Sequence, residues 1–420
     1  MKKNFWGSGR FKIIDVLRNT KILSTLKELK EQQYYEKTEL DSIIDDRLNS
    51  LLKIARESTD YYANEGGYEA IKPLVKNEIK KNHISFISKA YKLKLYKKAT
   101  GGSTGSPLLY YTTRESISYL WAGILLSWEV AGYQLGERVA FLAGTSIIKK
   151  DFKHEIFYRL MNVKLYSTYT LNESKIIEYL ENMRFLKVKL IYGYATALAY
   201  AADIMNQRKI KPLEELKSIV STAEVLTEEN RRKIEKAFNV RVYNQYGCNE
   251  AGISAFECER GNMHLISTRC KYEVDHEGNL LSTDLTNKGF ILMKYFTGDQ
   301  IELSENTSCP CKRNYPIIKN IKGRSYDMII DSKKNIIHAA FFNILFKNDP
   351  TIRQFQVQFN TNKICVFLNT DNTKSSTRDY QHYIESIKKH FTFNEYEIIL
   401  NTDLLKSKSA KHRYVINTGL

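Results

Sequence analysis

The sequence predicts an α/β fold, with a large N-terminal domain of mixed and parallel sheets and helices and a small α+β C-terminal domain. Between residues 138 and 247, short apolar strands alternate with helices, as in a parallel sheet with helical crossovers. After residue 323 the pattern changes: two segments in which apolar and polar residues alternate flank a turn, and a helix and a strand follow. The predicted domains are residues 1–323 and 324–420, and residues 1–95 are expected to be a mainly helical lead-in without a catalytic motif.

The composition is that of an ordinary globular protein, with 43% hydrophobic and 26% charged residues among 420. The formal net charge is +17, but the lysines are spread along the chain, so no nucleic-acid partner is expected. Six cysteines in a chain of this length do not indicate a disulfide framework. We expect a cytoplasmic protein, because no apolar segment is long enough to span a bilayer and none follows the charged start as in a signal peptide.

Four strands are predicted in the middle of the chain, at residues 138–142, 188–191, 218–221 and 240–243. Helices are predicted between them, around residues 176–183 and 196–206 and after Thr227, which can cap a helix with an acidic first turn. Each strand is followed by residues rich in glycine, tyrosine or polar side chains, the last by residues 244–247. In such sheets ligands bind beyond the carboxyl ends of the strands, so a site is expected at this edge.

The C-terminal part has its own pattern. Residues 354–359 and 363–368 alternate around the Asn-Thr-Asn turn at 360–362, which predicts a hairpin. A helix is expected at about 380–391 and a strand at 396–400. About a hundred residues suffice for a small α+β domain.

The segment ATGGSTGSP at 99–107 is rich in glycine and hydroxyl residues. Glycines allow backbone N–H groups to approach an anion, and hydroxyls can donate to phosphate oxygens. The spacing is not that of a Walker loop, and a surface turn is the simpler explanation of this motif alone. The candidate phosphate-binding residues are Thr100, Gly101, Gly102, Ser103, Thr104 and Gly105.

Two later segments place functional groups beside glycines. In YNQYGCNEAG, Tyr246 offers a flat face to a base, and Glu250 could hold magnesium against phosphates. In Thr297-Gly298-Asp299, Asp299 could accept both ribose hydroxyls. In the following segment, residues 323–327, Arg324 could neutralise phosphate charge. A packed tyrosine, a helix-start acid and a turn aspartate are the structural alternatives.

The order of these segments resembles that of the adenylate-forming ligases, most closely the phenylacetate–coenzyme A ligase-like group, including relatives associated with capsular polysaccharide biosynthesis. The resemblance covers about residues 95–420 and rests on TGGSTGSP, STAEVLTEENRRKIEKAF, YNQYGCNEAG, TGDQIEL, CPCKR and GRSYDMI. It implies a mobile small domain, ATP and magnesium, and activation of a carboxylic acid as its acyl-AMP with release of pyrophosphate.

The resemblance also implies residue roles. Residues 100–105 would bind the β- and γ-phosphates of ATP, and the adenine pocket would be formed by Ala223, Glu224, Tyr246 and Gly247. Glu250 would hold magnesium, and Asp299 would bind the ribose. Arg324 would lie at the ribose and phosphate, and Lys411 would contact the α-phosphate and the substrate carboxylate. A solvated basic tail is the alternative for Lys411. The chain departs from the family pattern at Ser106, Cys248, Asn249 and Tyr326, which bears on rate and specificity more than on reaction class.

Three cysteines and one histidine have the composition of a closed structural zinc site, namely Cys258, His264, Cys309 and Cys311. The Cys-Pro-Cys spacing is closer than usual for zinc, and reduced buried thiols are the alternative. Such a zinc ion would clamp loops near the site. Cys270 and Cys365 are expected to be ordinary core thiols.

The expected second step is transfer of the acyl group to coenzyme A. The alternatives are transfer to an amino sugar in surface-polysaccharide assembly, and a non-catalytic nucleotide- or nucleic-acid-binding protein. The strand-end tyrosines Tyr192, Tyr194 and Tyr243 are candidates for a pocket that accepts an aromatic or medium-sized acid.

Overall fold

The computed structural model describes residues 5–99, 108–143, 152–168, 171, 173–306, 308–324, 328–333, 336–338, 342, 345–346, 349, 351–370, 376–405 and 415–419. They form two compact units, the first ending at Lys322 and the second beginning at Gly323. Among these residues, no helix combines the length and the apolar character that crossing a membrane requires.

The first unit begins with residues 5–94, which form α-helices and 3-10 turns joined by short connections. The α-helices are α1 Phe5–Arg18, α2 Ile22–Gln32, α3 Lys37–Ser58 and α4 Lys76–Lys81. Asp15 accepts hydrogen bonds from the backbone N–H groups of Ile22 and Leu23, so it caps the start of α2. A capping box formed by Glu36 and Glu39 begins α3.

The remaining elements of the first unit alternate between strands and helices and then become entirely β. The helices are α5 Arg114–Val130, α6 Phe152–Leu160, α7 Glu173–Phe185, α8 Ala195–Gln207 and α9 Glu228–Phe238. The strands are β1 Tyr96–Ala99, β2 Leu109–Thr112, β3 Val139–Ala143, β4 Val163–Ser167, β5 Leu190–Tyr194, β6 Ser218–Thr222, β7 Val242–Cys248, β8 Ile253–Glu257, β9 Met263–Leu265, β10 Cys270–Val274, β11 Asn279–Asp284, β12 Tyr295–Leu303 and β13 Ile317–Arg324.

Eleven of these strands form one sheet in the order β10-β11-β12-β13-β9-β8-β7-β6-β5-β3-β4. Strands β3 to β7 are parallel, and β7 pairs antiparallel with β8, which begins the second half of the sheet. The predicted α/β class is confirmed, and the four predicted strands correspond to β3, β5, β6 and β7. Thr227 caps α9 as predicted, since its side chain accepts a hydrogen bond from the N–H of Asn230 at 3.2 Å.

The predicted end of the fourth strand is wrong. Residues 244–247 were expected to leave the sheet, but β7 continues to Cys248 because β8 folds back beside it. Gln245 lies opposite Phe256, and Cys248 lies opposite Ile253. The antiparallel partner satisfies backbone groups that a strand ending at residue 243 would leave to water or side chains.

The core of the parallel half lies on both faces of the sheet. The alanine-rich helix α8 is almost entirely buried and packs with α7 and α9 beside β5 and β6. A second apolar cluster joins α1, α2, α5 and α6 to β3 and β5, with Trp128 at its centre. These layers fix the strand ends at which the polar segments begin.

The described part of the second unit contains a four-stranded sheet, a two-stranded sheet and an α-helix. Its elements are β14 Met328–Ile330, β15 Ile336–His338, β16 Ile352–Phe359, β17 Lys363–Thr370, α10 Gln381–Lys388, β18 Glu395–Leu400 and β19 Val415–Asn417. The predicted hairpin is confirmed as β16 and β17, in a sheet ordered β18-β17-β16-β19. Its core is built mainly from aliphatic and phenylalanine side chains.

Candidate active site and candidate metal centre

The carboxyl ends of β5, β6 and β7 lie side by side. Tyr194 is opposite Thr222 in the β5–β6 pair, and Thr222 is opposite Gln245 in the β6–β7 pair. The hydroxyl of Tyr192 donates to Gln245 Oε1 at 2.6 Å and lies 3.3 Å from Thr222 Oγ1. This buried contact joins three neighbouring strands at the edge where a ligand site was expected.

Glu224 is held by the helix that follows the neighbouring strand. Its Oε2 accepts hydrogen bonds from the backbone N–H of Thr196 at 2.9 Å and from the Thr196 hydroxyl at 2.7 Å. Thr196 is in the first turn of α8, where N–H groups lack helical partners, so the carboxylate acts as a cap. Ala223 has φ of 66°, a left-handed conformation that non-glycine residues seldom adopt, and it turns the chain sharply after β6.

Tyr246 and Asp299 meet although they are 53 residues apart. The Tyr246 hydroxyl donates to Asp299 Oδ2 at 2.7 Å, and Asp299 is buried. The Asp299 N–H donates to Thr297 Oγ1 at 3.1 Å, and Gly298 between them has φ of 78°, which favours glycine. The predicted base-stacking and ribose-binding residues are therefore brought together.

This contact requires a strongly curled sheet. Tyr246 is on β7 and Asp299 on β12, with β8, β9 and β13 between them. In a flat sheet those two strands would lie roughly 19 Å apart, at about 4.8 Å per strand. The contact therefore brings β7 and β12 closer than in a flat sheet, and the twist that accumulates from strand to strand is the physical source of such curvature.

Glu250 lies in the 3-10 turn Asn249–Ala251 and is half-buried. The turn is fixed because the Ser282 hydroxyl donates to the Ala251 carbonyl at 2.7 Å. Gly252 has φ of 71°, and a Cβ there would lie 2.7 Å from Asp284 Cβ, so this position requires glycine. One accessible carboxylate at such a turn suits magnesium, which takes one or two carboxylates together with phosphate oxygens and water.

Glu250 lies near the strand that follows the glycine-rich segment. Burial raises the pKa of Tyr110 on β2 well above its usual value, and the charge of Glu250 raises it further. Strands β1 and β2, which flank the glycine-rich segment in sequence, pair antiparallel with Ala99 opposite Leu109. Residues 100–105, Ser106, Tyr326 and Lys411 lie outside the described residues, and Arg324 is described only as the last residue of β13.

No protein-family profile matches the chain. It is 27% identical over 329 residues to Protein CapK of Staphylococcus aureus, a capsule biosynthesis-associated protein, covering 76% of this chain and 72% of CapK. Among solved structures, 2-hydroxyisobutyryl-CoA ligase with 2-HIB-AMP superposes with a TM-score of 0.71 at 13% identity, covering 92% of this chain and 91% of that one. The amide bond synthetase McbA of Marinactinospora thermotolerans gives 0.50 at 12% identity, covering 75% and 66%.

The chain has the fold of the adenylate-forming ligases. The resemblance predicted from the sequence is thereby confirmed. Within this ligase fold, Glu224, Tyr246, Gly247, Glu250 and Asp299 lie at or near the carboxyl ends of the parallel strands. Sequence reasoning missed Thr196, which binds the Glu224 carboxylate, because it lies in a different element and belongs to no motif.

The second feature of this ligase fold is a cluster of the three predicted cysteines and the histidine. All four are buried, and their ligand atoms lie within 4.8 Å of one another. Cys258 Sγ is 3.8 Å from Cys309 Sγ, and Cys311 Sγ is 3.3 Å from His264 Nε2. Sulfur ligands at about 2.3 Å and nitrogen at about 2.0 Å from one tetrahedral zinc ion lie roughly 3.5–3.8 Å from each other, so the set fits zinc.

The surrounding hydrogen bonds orient this cluster as they do in metal centres. His264 Nδ1 donates to the Tyr315 carbonyl at 3.0 Å, which fixes the ring with Nε2 directed at Cys311 Sγ. Cys258 Sγ accepts from the Arg260 N–H at 3.3 Å. Burial opposes ionisation of Cys309, but hydrogen bonds, the largest from the Cys311 backbone, outweigh it and lower the pKa of its thiol to about 6.

Proposed function

We propose that this chain activates a carboxylic acid with ATP, forming an acyl-adenylate and releasing pyrophosphate. The contact between Tyr246 and Asp299 carries the proposal, because it unites an aromatic ring suited to a base with a carboxylate suited to ribose hydroxyls. The likeness to ligases solved with acyl-adenylates supports it. A purely structural tyrosine–aspartate pair would not need a magnesium-type carboxylate nearby in the same sheet.

In the proposed first step, a carboxylate oxygen of the acid attacks the α-phosphorus of ATP and the bond to the β-phosphate oxygen breaks. Tyr246 and Gly247 would contact the base, and Asp299 would hold the ribose. Arg324 and Lys411 would stabilise negative charge on the reacting phosphate. Since both reactants are negatively charged, positioning and charge neutralisation supply most of the acceleration.

Glu250 would hold magnesium, and a bound magnesium ion would neutralise phosphate charge. Removing the carboxylate should weaken the metal interaction without changing the fold, because glutamine has nearly the same size and the side chain is only half-buried. Glu250→Gln should therefore raise the magnesium concentration for half-maximal activity by about 10-fold. An unchanged magnesium requirement would exclude Glu250 from this role.

The decisive test is carboxylate-dependent exchange of labelled pyrophosphate into ATP, screened over a panel of carboxylic acids. We expect at least one acid to support exchange. Lys411→Ala should abolish exchange but retain the second half-reaction from supplied acyl-AMP, whereas Lys408→Ala in the same basic tail should retain both. Exchange that survives Lys411→Ala would refute the role of Lys411, and ATP binding without exchange for every acid would refute the enzyme.

The second step transfers the acyl group to a nucleophile, which attacks the acyl carbon and releases AMP. Coenzyme A is the acceptor we propose, in keeping with the ligase likeness. An amino sugar is the alternative, suggested by the likeness to CapK and to an amide bond synthetase. Supplying each acceptor to the same acyl-adenylate and identifying a thioester or an amide by mass spectrometry separates them.

We also propose that Cys258, His264, Cys309 and Cys311 hold one structural zinc ion. All four are buried, which leaves no open coordination position for chemistry. Protein purified without added metal should contain about one zinc per chain by atomic emission. Cys309→Ser should lose the metal, whereas Cys365→Ser, a half-buried cysteine of the second unit, should keep it. A zinc-free wild type under non-chelating conditions would refute the proposal.

A further inference from the structure

The helix α1 carries apolar side chains on two faces. Phe11 and Ile14 are buried and belong to the apolar cluster that joins α1 to α2, α5 and α6. Ile13, Val16 and Leu17 lie on the other face, where they are 49%, 80% and 65% exposed. A helix that only covers a core has polar residues on its solvent side, so the fold of the first unit does not explain these three side chains, which we call the α1 stripe.

The α1 stripe is a continuous apolar surface. Ile13 is three residues from Val16 and four from Leu17, so both are its neighbours on the helix surface. Among the described residues, the other exposed large apolar side chains occur singly along the sequence, as Phe185 and Val225 do. Single exposed apolar residues are normal at protein surfaces, whereas a contiguous group is typical of a binding surface.

Cations flank the α1 stripe on both sides. At about 100° per residue, Arg10 lies to one side of the stripe and Lys12 to the other, and both are exposed. Neither forms an ion pair with another residue that the structure describes. Asp15, the one acid of α1, accepts hydrogen bonds from the Thr20 hydroxyl and from the backbone N–H of Ile22, so it is engaged at the start of α2. The exposed face of α1 is therefore apolar in the middle and positive at its borders.

The other face of α1 is held firmly against the first unit. Gly7 packs so closely on the backbone of Leu135 and Gly136 that a side chain at either glycine would overlap the opposite segment. Two backbones approach in this way only where side chains are absent. Together with the burial of Phe11 and Ile14, this contact keeps the α1 stripe directed outward.

An anionic lipid surface fits this face better than a second copy of the chain. In a two-fold contact between copies the same face would meet itself, so Arg10 and Lys12 would approach like charges without an available acid on α1 to pair with them. An apolar centre with basic borders is instead the pattern of helices that lie among lipid headgroups. The formal net charge of +17 also attracts the chain to a negative surface.

We propose that α1 docks this protein on anionic lipid bilayers. Ile13, Val16 and Leu17 enter the boundary between headgroups and acyl chains, while Arg10 and Lys12 pair with lipid phosphates. The helix remains folded on the first unit, because its opposite face stays in the core. Docking of this kind requires neither ATP nor the proposed adenylation.

The test is sedimentation of the full chain with sucrose-loaded vesicles, made either of phosphatidylcholine alone or of equal parts of phosphatidylcholine and phosphatidylglycerol. We expect binding to the anionic vesicles only, and added salt should weaken it by screening exposed charges. Lys12→Ser should weaken binding about fivefold, the contribution of one cation near an anionic surface. The double substitution Val16→Ser and Leu17→Ser should weaken it about 100-fold, since each inserted apolar side chain contributes about a factor of ten.

Phe185→Ser is the matched control. Phe185 is 82% exposed at the end of α7, a helix that packs with α8, and its substitution should leave vesicle binding unchanged. All the substituted side chains are exposed, so each variant should keep the fold, which circular dichroism checks.

Three results would overturn the proposal. The first is a wild type that does not bind anionic vesicles. The second is undiminished binding by the Val16→Ser, Leu17→Ser variant, which would assign adhesion to the net charge alone. The third is a wild-type dimer in sedimentation velocity that the same double substitution converts to a monomer, because the α1 stripe would then join two copies of the chain.

Discussion

Replacing Tyr246 by phenylalanine tests the contact on which the nucleotide site depends. The change removes one hydroxyl, which donates to Asp299 Oδ2 at 2.7 Å, and it keeps the ring. Hydrogen bonds to charged groups contribute about 1.5–3 kcal/mol. Because Tyr246 is half-buried, water can replace part of the lost bond, so we expect the free energy of unfolding to fall by about 1.5 kcal/mol.

The same substitution should weaken ATP binding. If Asp299 binds the ribose, loss of the hydroxyl that orients its carboxylate should raise KM for ATP by about 10-fold, since 1.4 kcal/mol corresponds to a factor of ten. The effect on kcat should be smaller, because the ribose contact is formed before and during the reaction alike.

Unfolding is measured by urea denaturation followed by tryptophan fluorescence, which reports on the first unit because all three tryptophans precede residue 129. Tyr272→Phe is the matched control, because Tyr272 is a half-buried tyrosine of β10 in the same sheet whose hydroxyl forms no hydrogen bond with the residues that the structure describes. Equal stability of the two variants would contradict the contact. A stability loss with an unchanged KM for ATP would contradict ribose binding by Asp299.

Further substitutions test an ion pair and a hydrogen bond near the site and one carboxylate of the second unit. Glu257→Gln should lower the free energy of unfolding by about 2 kcal/mol, because it removes the buried carboxylate that Arg231 contacts at 2.8 Å and leaves the exposed Glu228, at 3.4 Å, beside the guanidinium; a loss below 1 kcal/mol in denaturant titrations contradicts this. Thr196→Val should cost about 1 kcal/mol by removing the hydroxyl that donates to Glu224, while Thr196→Ser costs less. Burial opposes ionisation of Asp349, but hydrogen bonds outweigh it and lower the pKa of this carboxyl below 3.8. Its stabilisation is thus complete above about pH 4 and lost as pH falls through the lower folded pKa, so Asp349→Asn should flatten the acid dependence of unfolding followed by circular dichroism.

The parallel half of the sheet could be predicted because each of its strands is identified by its own short stretch of sequence. Strands such as β5 and β6 are continuous apolar runs, and each is followed by a helix with a recognisable start. The antiparallel half was not predicted strand by strand. Its elements depend on their neighbours, and the extension of β7 to Cys248 exists only because β8 pairs with it.

The site was predictable in its residue types but not in its contacts. The motifs around Tyr246 and Asp299 could be recognised, yet nothing local indicates that a curled sheet would join them. Thr196 lies in an alanine-rich helix without a motif, so its role as partner of Glu224 depends on the packing of α8 beside β6.

The metal centre and the nucleotide site are connected through the sheet. Cys258 and His264 border the turn between β8 and β9, and the other two cysteines lie between β12 and β13. The metal would therefore join the strands that separate Tyr246 on β7 from Asp299 on β12.

If zinc maintains the curl of these strands, removing it should weaken the distant contact as well as the local fold. A double-mutant cycle tests this, with Tyr246→Phe measured in zinc-loaded protein and in the Cys309→Ser variant. The hydroxyl should contribute about 1 kcal/mol less in the variant, because a sheet that relaxes toward flatness separates the two side chains. Strictly additive losses would show that the curl is set by side-chain packing alone and that the metal stabilises only its own loops.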